Sequence, residues 1–140
     1  MKKLGFGLMR LPLLDESDRS TVDVETVKGM VDRYLERGFT YFDTAHRYHD
    51  EASEPAARKA LTERYPRDQY ILTNKITLNY IHRQEDQEPF LRRQLEICGV
   101  DYFDNYLLHN MGAVWYPMAE RLGTFQFLRK MRDPHNTMRK

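Results

Sequence analysis

Strand-like and helix-like patterns alternate along this chain of 140 residues, and that alternation restricts the fold more than any other feature. Four short apolar runs typical of buried strands recur roughly every thirty residues, and a helix-like segment follows each of them. Parallel strands need such crossovers, because the chain must return to the starting edge of the sheet. The sequence therefore predicts a βαβαβαβα order and a parallel sheet. The predicted strands are Leu4 to Met9, Phe39 to Phe42, Tyr70 to Ile76 and Tyr102 to Leu108.

Capping residues mark the ends of the predicted helices. Asp23 precedes apolar residues at helical spacing and predicts a helix that ends near Gly38, because glycine tolerates the left-handed turn after a helix. Pro55 suits the first turn of a second helix, which opens at Ser53 and ends at Tyr65. The other two predicted helices run from about Pro89 to Gly99 and from Ala119 to Arg132.

Composition and charge exclude several classes of protein. A chain of this length predicts one domain with a real hydrophobic core. The formal net charge is +1 and the Lys and Arg residues are scattered, which argues against a nucleic-acid partner. We find no apolar run of the roughly 18 residues that a membrane span needs, and no secretory signal pattern. Cys98 has no second cysteine to pair with, so we expect a cytoplasmic protein.

Two architectures have this alternation, an open doubly wound sheet and a (β/α)8 barrel. A doubly wound sheet that binds a dinucleotide carries G-x-G-x-x-G after its first strand. The corresponding segment here, Gly5 to Arg10, lacks the third glycine, and a long loop follows it. In a barrel, catalytic residues come from the carboxyl ends of several strands, which is where ionisable residues fall in this chain. The sequence therefore favours about four βα units of a barrel.

Ionisable residues stand at the ends of three predicted strands. Asp43 ends the second strand, Lys75 lies near the end of the third, and His109 follows the fourth. Tyr48 comes five residues after Asp43. A buried strand that finishes on a charge is costly unless that charge is paired or used. We therefore expect these four side chains to share one site.

The four residue types together suit proton donation. The phenol of an isolated tyrosine has a pKa of about 10, and a nearby ammonium group favours its ionised form. Tyr48, with Lys75 and Asp43, would therefore be a tuned general acid, and His109 would orient a carbonyl oxygen through a hydrogen bond. None of these side chains is a source of hydride. The set therefore implies an external hydride carrier, a nicotinamide cofactor.

Several motifs resemble those of the aldo-keto reductase family. The segment from Gly38 to Ala45, followed by Tyr48, resembles the family signature. The lysine that closes Leu72 to Lys75 and the run from Gly99 to His109 are similar to later family motifs. Each motif alone is weak, but their order and spacing together are specific. The resemblance extends from Leu4 to about Asp133.

This resemblance implies a TIM barrel and the NADPH-dependent reduction of a small carbonyl compound to an alcohol. Met9 and Arg10, together with Asp43, would lie near the nicotinamide end of the cofactor. In the family the tetrad tyrosine donates the proton, which assigns that role to Tyr48. The residues at the positions of the catalytic tetrad are Asp43, Tyr48, Lys75 and His109.

The chain departs from the family pattern in length. The family has eight βα units and this chain supplies about four, so the resemblance implies the N-terminal half of a barrel in residues 1–133. Residues 134–140 do not continue toward a fifth strand, because Pro134 and the lack of an apolar run interrupt the pattern. In the family, the other half binds most of the NADPH. We therefore expect a truncated reductase whose activity as an isolated chain is impaired or absent.

An alternative is a half-barrel without catalytic activity that binds a partner chain or associates with itself. Its first and fourth strands would have open edges, which invite pairing with another chain. In this alternative the ionisable residues have plain structural roles. Asp43 caps a turn, Tyr48 packs, Lys75 extends its ammonium group to solvent, and His109 is a hydrogen-bonded core residue.

Two further features have open or negative interpretations. His46 and His49, together with Asp50, hint at a metal site, but this spacing on a predicted loop lacks a convincing ligand elsewhere in the chain, so we expect no metal. The segment His49 to Glu51 stands where the family commonly has a glycine-containing turn. Trp115 to Pro117 either line a substrate pocket or cover the top of the barrel.

Overall fold

A parallel sheet with helices packed on it accounts for residues 3–132, the part of the chain that the computed structural model describes. The strands are β1 (Gly5–Gly7), β2 (Tyr41–Asp43), β3 (Ile71–Ile76) and β4 (Asn105–Leu108). The helices are α1 (Val24–Glu36), α2 (Ser53–Ala57), α3 (Gln87–Cys98), α4 (Trp115–Arg121) and α5 (Thr124–Arg132). A π-helical turn, Arg58–Thr62, extends α2.

The strands lie in the sheet in chain order, β1-β2-β3-β4, and every neighbouring pair is parallel. The sheet is the one that the alternation predicts. Strands of a (β/α)8 barrel follow one another around the sheet in this way, whereas the strand order of a doubly wound fold reverses at a switch point. The described residues therefore form four consecutive βα units of a partial barrel.

The two faces of the sheet have different roles, because adjacent side chains of a strand point to opposite faces. Phe42 and Leu72 are paired in register and fully buried, and they belong to the core between the sheet and the helices. Val27 and Val31 of α1 complete that core and are also fully buried. Lys75, an odd number of positions from Leu72, lies on the opposite face, which looks inward in a barrel.

The capping predictions are confirmed where the structure tests them. The side chain of Asp23 accepts a hydrogen bond from the backbone N–H of Thr26 at 3.1 Å and caps α1. Gly99 follows α3 with φ of 65°, in the left-handed region that favours glycine. The observed strands are shorter than the predicted apolar runs, because the first residues of each run do not pair with neighbouring strands.

The prediction of one final helix over residues 119–132 is wrong. Two helices, α4 and α5, cover this part of the chain, and Gly123 separates them with φ of 63°. Trp115 to Pro117 form the first turn of α4 and not a loop. The predicted tail, residues 134–140, lies outside the described residues. None of the helices in residues 3–132 combines the length and the apolar character that crossing a bilayer requires.

Candidate active site

The carboxyl ends of three parallel strands bring Asp43, Lys75 and His109 to one edge of the sheet. Asp43 is the last residue of β2, Lys75 lies one residue before the end of β3, and His109 follows β4 directly. The backbone N–H of His109 donates to the carbonyl of Ile76 at 3.0 Å, which extends the pairing of β3 and β4 by one bond. The position of His109 is therefore fixed by the sheet.

An ion pair joins two of these residues. The Lys75 Nζ atom lies 2.6 Å from Asp43 Oδ1 and also donates to the carbonyl of Thr44 at 2.8 Å. The side chain of Lys75 is only 11% exposed and that of Asp43 29% exposed. An ammonium group with so little access to water needs such partners, because an unpaired buried charge is strongly unfavourable.

Tyr48 lies between Lys75 and His109. The Lys75 Nζ atom is 4.9 Å from the centroid of the Tyr48 ring, and the ring of His109 meets the Tyr48 ring edge-on at a centroid distance of 5.6 Å. Tyr48 is half-buried. The structure thus brings together all four residues that the sequence assigns to one site. Their catalytic roles stay predictions.

The surroundings of His109 shift the pKa of its imidazole. Its Nδ1 atom lies 3.1 Å from the Thr77 hydroxyl oxygen. Burial lowers the pKa of His109 below its ordinary value, and the positive charges of Lys75 and Arg47 lower it further, against a smaller opposite effect of Asp43. The imidazole is therefore neutral at pH 7.

A cleft of about 340 Å³ opens beside these side chains. Met9 lines it, whereas Arg10 is an exposed residue at the next position. The residues that line the cleft are Met9, Arg19, Arg47, Tyr48, Asp50, His109 and Asn110. Clefts of about 300 Å³ and above are large enough for small ligands.

The turn after Tyr48 has an unusual backbone. His49, Asp50 and Glu51 have φ angles of 53°, 48° and 74°, all in the left-handed region that non-glycine residues rarely adopt. His49 holds the turn, because its Nε2 atom accepts from the backbone N–H of Leu11 at 2.8 Å and its Nδ1 atom lies 3.1 Å from the carbonyl oxygen of Arg19. Such strain is common beside functional sites.

Sequence reasoning missed a buried polar network behind the site. The carboxylate of Glu54 in the first turn of α2 is fully buried and contacts His46, Asn74 and Gln94 at 2.6–2.8 Å. The sequence signal was Asn74, an amide inside a strand that is otherwise buried, since such a group needs a partner. Glu54 itself has the sequence position of an ordinary first-turn acid.

The two histidines of the loop face different partners and do not converge. His46 contacts Glu54, and His49 contacts the backbone of the loop before α1. Across residues 3–132, we find no group of three or more His, Cys, Asp and Glu side chains placed to hold a metal ion.

The fold and the site define a barrel-type α/β protein with an Asp-Tyr-Lys-His group at the carboxyl ends of its strands. The chain belongs to the aldo/keto reductase family, whose model matches residues 3–134. The members of this family are oxidoreductases, and the match confirms the resemblance seen in the sequence motifs.

Curated reductases and solved structures are similar to this chain over most of its length. The NAD(P)H-dependent D-xylose reductase of Scheffersomyces stipitis is 36% identical over 111 residues, which are 78% of this chain and 31% of that protein. The probable NAD(P)H-dependent D-xylose reductase of Aspergillus flavus is 30% identical over 118 residues, covering 83% of this chain and 33% of that protein. The chain thus spans about a third of the length of these relatives.

Two solved structures share the fold. An aldo-keto reductase from Bacillus halodurans superposes with a TM-score of 0.67 and 27% identity, covering 92% of this chain and 42% of that one. An aldo-keto reductase from Klebsiella pneumoniae in complex with NADPH has a TM-score of 0.65 and 22% identity, covering 89% of this chain and 40% of that one. These coverages agree with the partial barrel of four βα units.

The environment of His109 gives a prediction that NMR titration can check. We expect its imidazole to titrate below 6.5. In Arg47→Gln the midpoint should rise, because one of the positive charges that disfavour the imidazolium is gone. Between 6.5 and the lowered midpoint the unfolded chain binds more protons than the folded one, so stability should fall as pH falls through this range.

Arg93→Gln is the matched control, since Arg93 is an exposed residue of α3. It should leave the His109 midpoint unchanged. A midpoint at or above 6.5 in the unsubstituted chain would contradict the described environment.

Proposed function

We propose that this chain carries the proton-donating site of a nicotinamide-dependent carbonyl reductase. The observation that carries the proposal is the position of the Lys75 ammonium group. It lies 2.6 Å from Asp43 Oδ1 and 4.9 Å from the Tyr48 ring centroid, while the His109 ring packs perpendicular to the Tyr48 ring at a centroid distance of 5.6 Å. A phenol that gives up a proton needs a fixed positive charge beside it, and Lys75 supplies one.

Each of the four residues has a distinct role in this proposal. Tyr48 donates its phenolic proton to the carbonyl oxygen of the substrate as that oxygen becomes an alkoxide. Lys75 stabilises the phenolate that remains, and Asp43 keeps the ammonium group oriented toward Tyr48.

His109 orients the substrate. As a neutral imidazole it has one N–H donor and one acceptor nitrogen. If the Thr77 hydroxyl donates to Nδ1, the proton lies on Nε2 and is available to the carbonyl oxygen. The proposed reaction therefore requires the tautomer in which Thr77 donates to Nδ1 and Nε2 carries the proton.

NADPH is the proposed cofactor, and it supplies a hydride when bound. The residues of this chain that would hold its nicotinamide end are Met9, Arg10 and Asp43. A cleft of about 340 Å³ with Met9 on one side and Tyr48 and His109 in its lining suits a ring-sized group beside a small carbonyl compound. The names of the related xylose reductases, which are NAD(P)H-dependent, support a nicotinamide cofactor.

The chain spans about a third of the length of its NAD(P)H-dependent relatives, so we propose that the 140-residue chain by itself binds NADPH weakly and turns over slowly. Hydride transfer requires the carrier in register with Tyr48, and a misplacement of about 1 Å can cost roughly 100-fold in rate.

We also propose a cytoplasmic location, where a lone buried thiol such as Cys98 stays reduced.

Fluorescence titration with NADPH and a turnover assay on a reactive aldehyde test this proposal. We expect a Kd weaker than about 1 μM, since the chain supplies few contacts, and slow turnover at saturating NADPH. Tyr48→Phe should abolish that turnover, because it removes the proton donor and leaves the ring.

The control is Tyr116→Phe, which removes the hydroxyl of an exposed tyrosine in α4. It should leave turnover unchanged. A measurable turnover rate that is the same in Tyr48→Phe and in the unsubstituted chain would overturn the catalytic role, and tight, saturable NADPH binding would overturn the expectation of an impaired chain.

Self-association is a second candidate function, and the edges of the sheet favour it. The edge strands β1 and β4 each pair with a neighbour on one side only among the described residues. Leu107 of β4 is a large apolar side chain with 44% exposure, and it lies in register with Lys75. Unpaired strand edges and exposed apolar side chains favour contact with another chain. We propose that a second copy pairs along β4.

Sedimentation velocity at micromolar concentration tests the association. We expect a dimer or larger species, and Leu107→Lys should shift it toward the monomer, because a charge at the edge opposes pairing. Met30→Lys serves as the control, since Met30 is 41% exposed on α1 and belongs to neither edge strand. A stable monomer in the unsubstituted chain would rule out self-association.

A further inference from the structure

Glu54 is a fully buried carboxylate that the proposed chemistry does not use. It lies in the first turn of α2, where Ser53, Ala56 and Ala57 are buried as well. A carboxylate removed from water is strongly unfavourable unless hydrogen bonds satisfy both of its oxygens. Each oxygen of Glu54 has such a partner, and the two oxygens serve different parts of the structure.

The Oε2 atom of Glu54 is connected to the loop that carries Tyr48. The Nδ1 atom of His46, two residues before Tyr48, lies 2.6 Å from this oxygen. Ser53, the residue next to Glu54, adds to the same connection. Its backbone N–H donates to the carbonyl of Tyr48 at 3.2 Å, and its hydroxyl lies 2.8 Å from that of Thr44.

The Oε1 atom is connected to the strand that carries Lys75. It accepts hydrogen bonds from the side-chain amides of Asn74 at 2.7 Å and Gln94 at 2.8 Å. The same two amides hold the backbone of Lys75. Asn74 Oδ1 accepts from the Lys75 N–H at 2.8 Å, and the Gln94 amide donates to the Lys75 carbonyl at 3.1 Å.

We propose that Glu54 is a positioning residue that sets the distance between Lys75 and Tyr48. The carboxylate bonds to both branches, one oxygen to each, and adds to the direct bonds of Thr44 to the Thr73 carbonyl and the Lys75 ammonium group. Lys75 and Tyr48 have no hydrogen bond to each other among those described, and their 4.9 Å separation depends on how the strand and the loop are held. The effect of Glu54 on catalysis rests on the proposed function, whereas its effect on the distance between Lys75 and Tyr48 can be tested without it.

The rings around His46 make the loop branch rigid. Tyr80 and Phe90 meet the imidazole edge-on at centroid distances of 4.9 Å and 5.3 Å. His46 is therefore confined on its apolar sides and bonded at Nδ1. A change in the Glu54–His46 bond is transmitted to the chain two residues before Tyr48, because the ring has little room to adjust elsewhere.

The test is Glu54→Gln in the full chain, which keeps the shape of the side chain but replaces one carboxylate oxygen with an amide group. The amide nitrogen cannot accept a hydrogen bond, so the branch on its side either loses its bond or, at His46, must change the tautomer of the ring. The measurement is the NOE between the Lys75 side chain and the Tyr48 ring protons. NOE intensity falls steeply with distance, so a displacement of about 1 Å, of the size that can cost roughly 100-fold in rate, should lower it about threefold.

Two other variants complete the experiment. Gln94→Leu removes a donor from the strand branch without adding a charge, and it should weaken the same NOE; it also serves if Glu54→Gln does not fold. Glu63→Gln is the control, since Glu63 is an exposed partner of Arg58 and should leave the NOE unchanged. Thermal unfolding of each variant is recorded alongside.

The outcomes separate positioning from stability and from catalysis. A weaker NOE in folded Glu54→Gln or Gln94→Leu supports the proposal, and an unchanged NOE with a lower melting temperature overturns it. If the chain also reduces aldehydes, Glu54→Gln should lower kcat by up to roughly 100-fold with little change in the KM for NADPH, because Glu54 does not line the cleft. A weaker NOE without any change in kcat would overturn the proposed role of Tyr48 and leave the positioning intact.

Discussion

The ion pair between Lys75 and Asp43 is the interaction on which the rest of this site depends. It joins the ends of two adjacent strands and places a positive charge beside Tyr48. The pair exists because β2 and β3 are parallel neighbours in register, with Asp43 opposite Thr73 and Lys75 two residues further on. A shift of one residue would turn Lys75 toward the helices and leave two charges without partners.

The two faces of β3 support the site from opposite sides. On the face away from the helices, Lys75 contacts Asp43 and Tyr48. On the helix face, Asn74 bonds to Glu54 and to the backbone of Lys75. A strand that is buried on both faces can therefore hold a charged side chain in a fixed direction, because the polar groups on the other face fix its backbone.

Much of the fold follows from local signals in the sequence. Asp23 and Gly99 were found as helix ends because their roles depend on the neighbouring backbone alone. Gly123 was missed because Leu122, Phe125 and Leu128 keep the spacing of one helix across the break, and all three pack in the same cluster. Apolar periodicity records which side of the chain is buried, and it does not show where the backbone turns.

The residues of the site also fall into those that the sequence predicts and those that it does not. The four ionisable residues were found because strand ends in a parallel sheet meet at one edge. The sequence does not reveal the role of Glu54, because its partners Asn74 and Gln94 lie 20 and 40 residues away along the chain. A carboxylate in the first turn of a helix is usually exposed to solvent and interacts favourably with the helix dipole. The carboxylate of Glu54 is buried instead, because α2 packs against α3.

A double-mutant cycle between Asp43 and Lys75 tests the central claim most directly. Urea unfolding of Asp43→Asn, Lys75→Met and the double variant gives the coupling free energy of the pair. We predict a favourable coupling of at least about 1 kcal/mol, because the ammonium group has little access to water and few other partners. A coupling within about 0.5 kcal/mol of zero, the range of independent residues, would contradict the account.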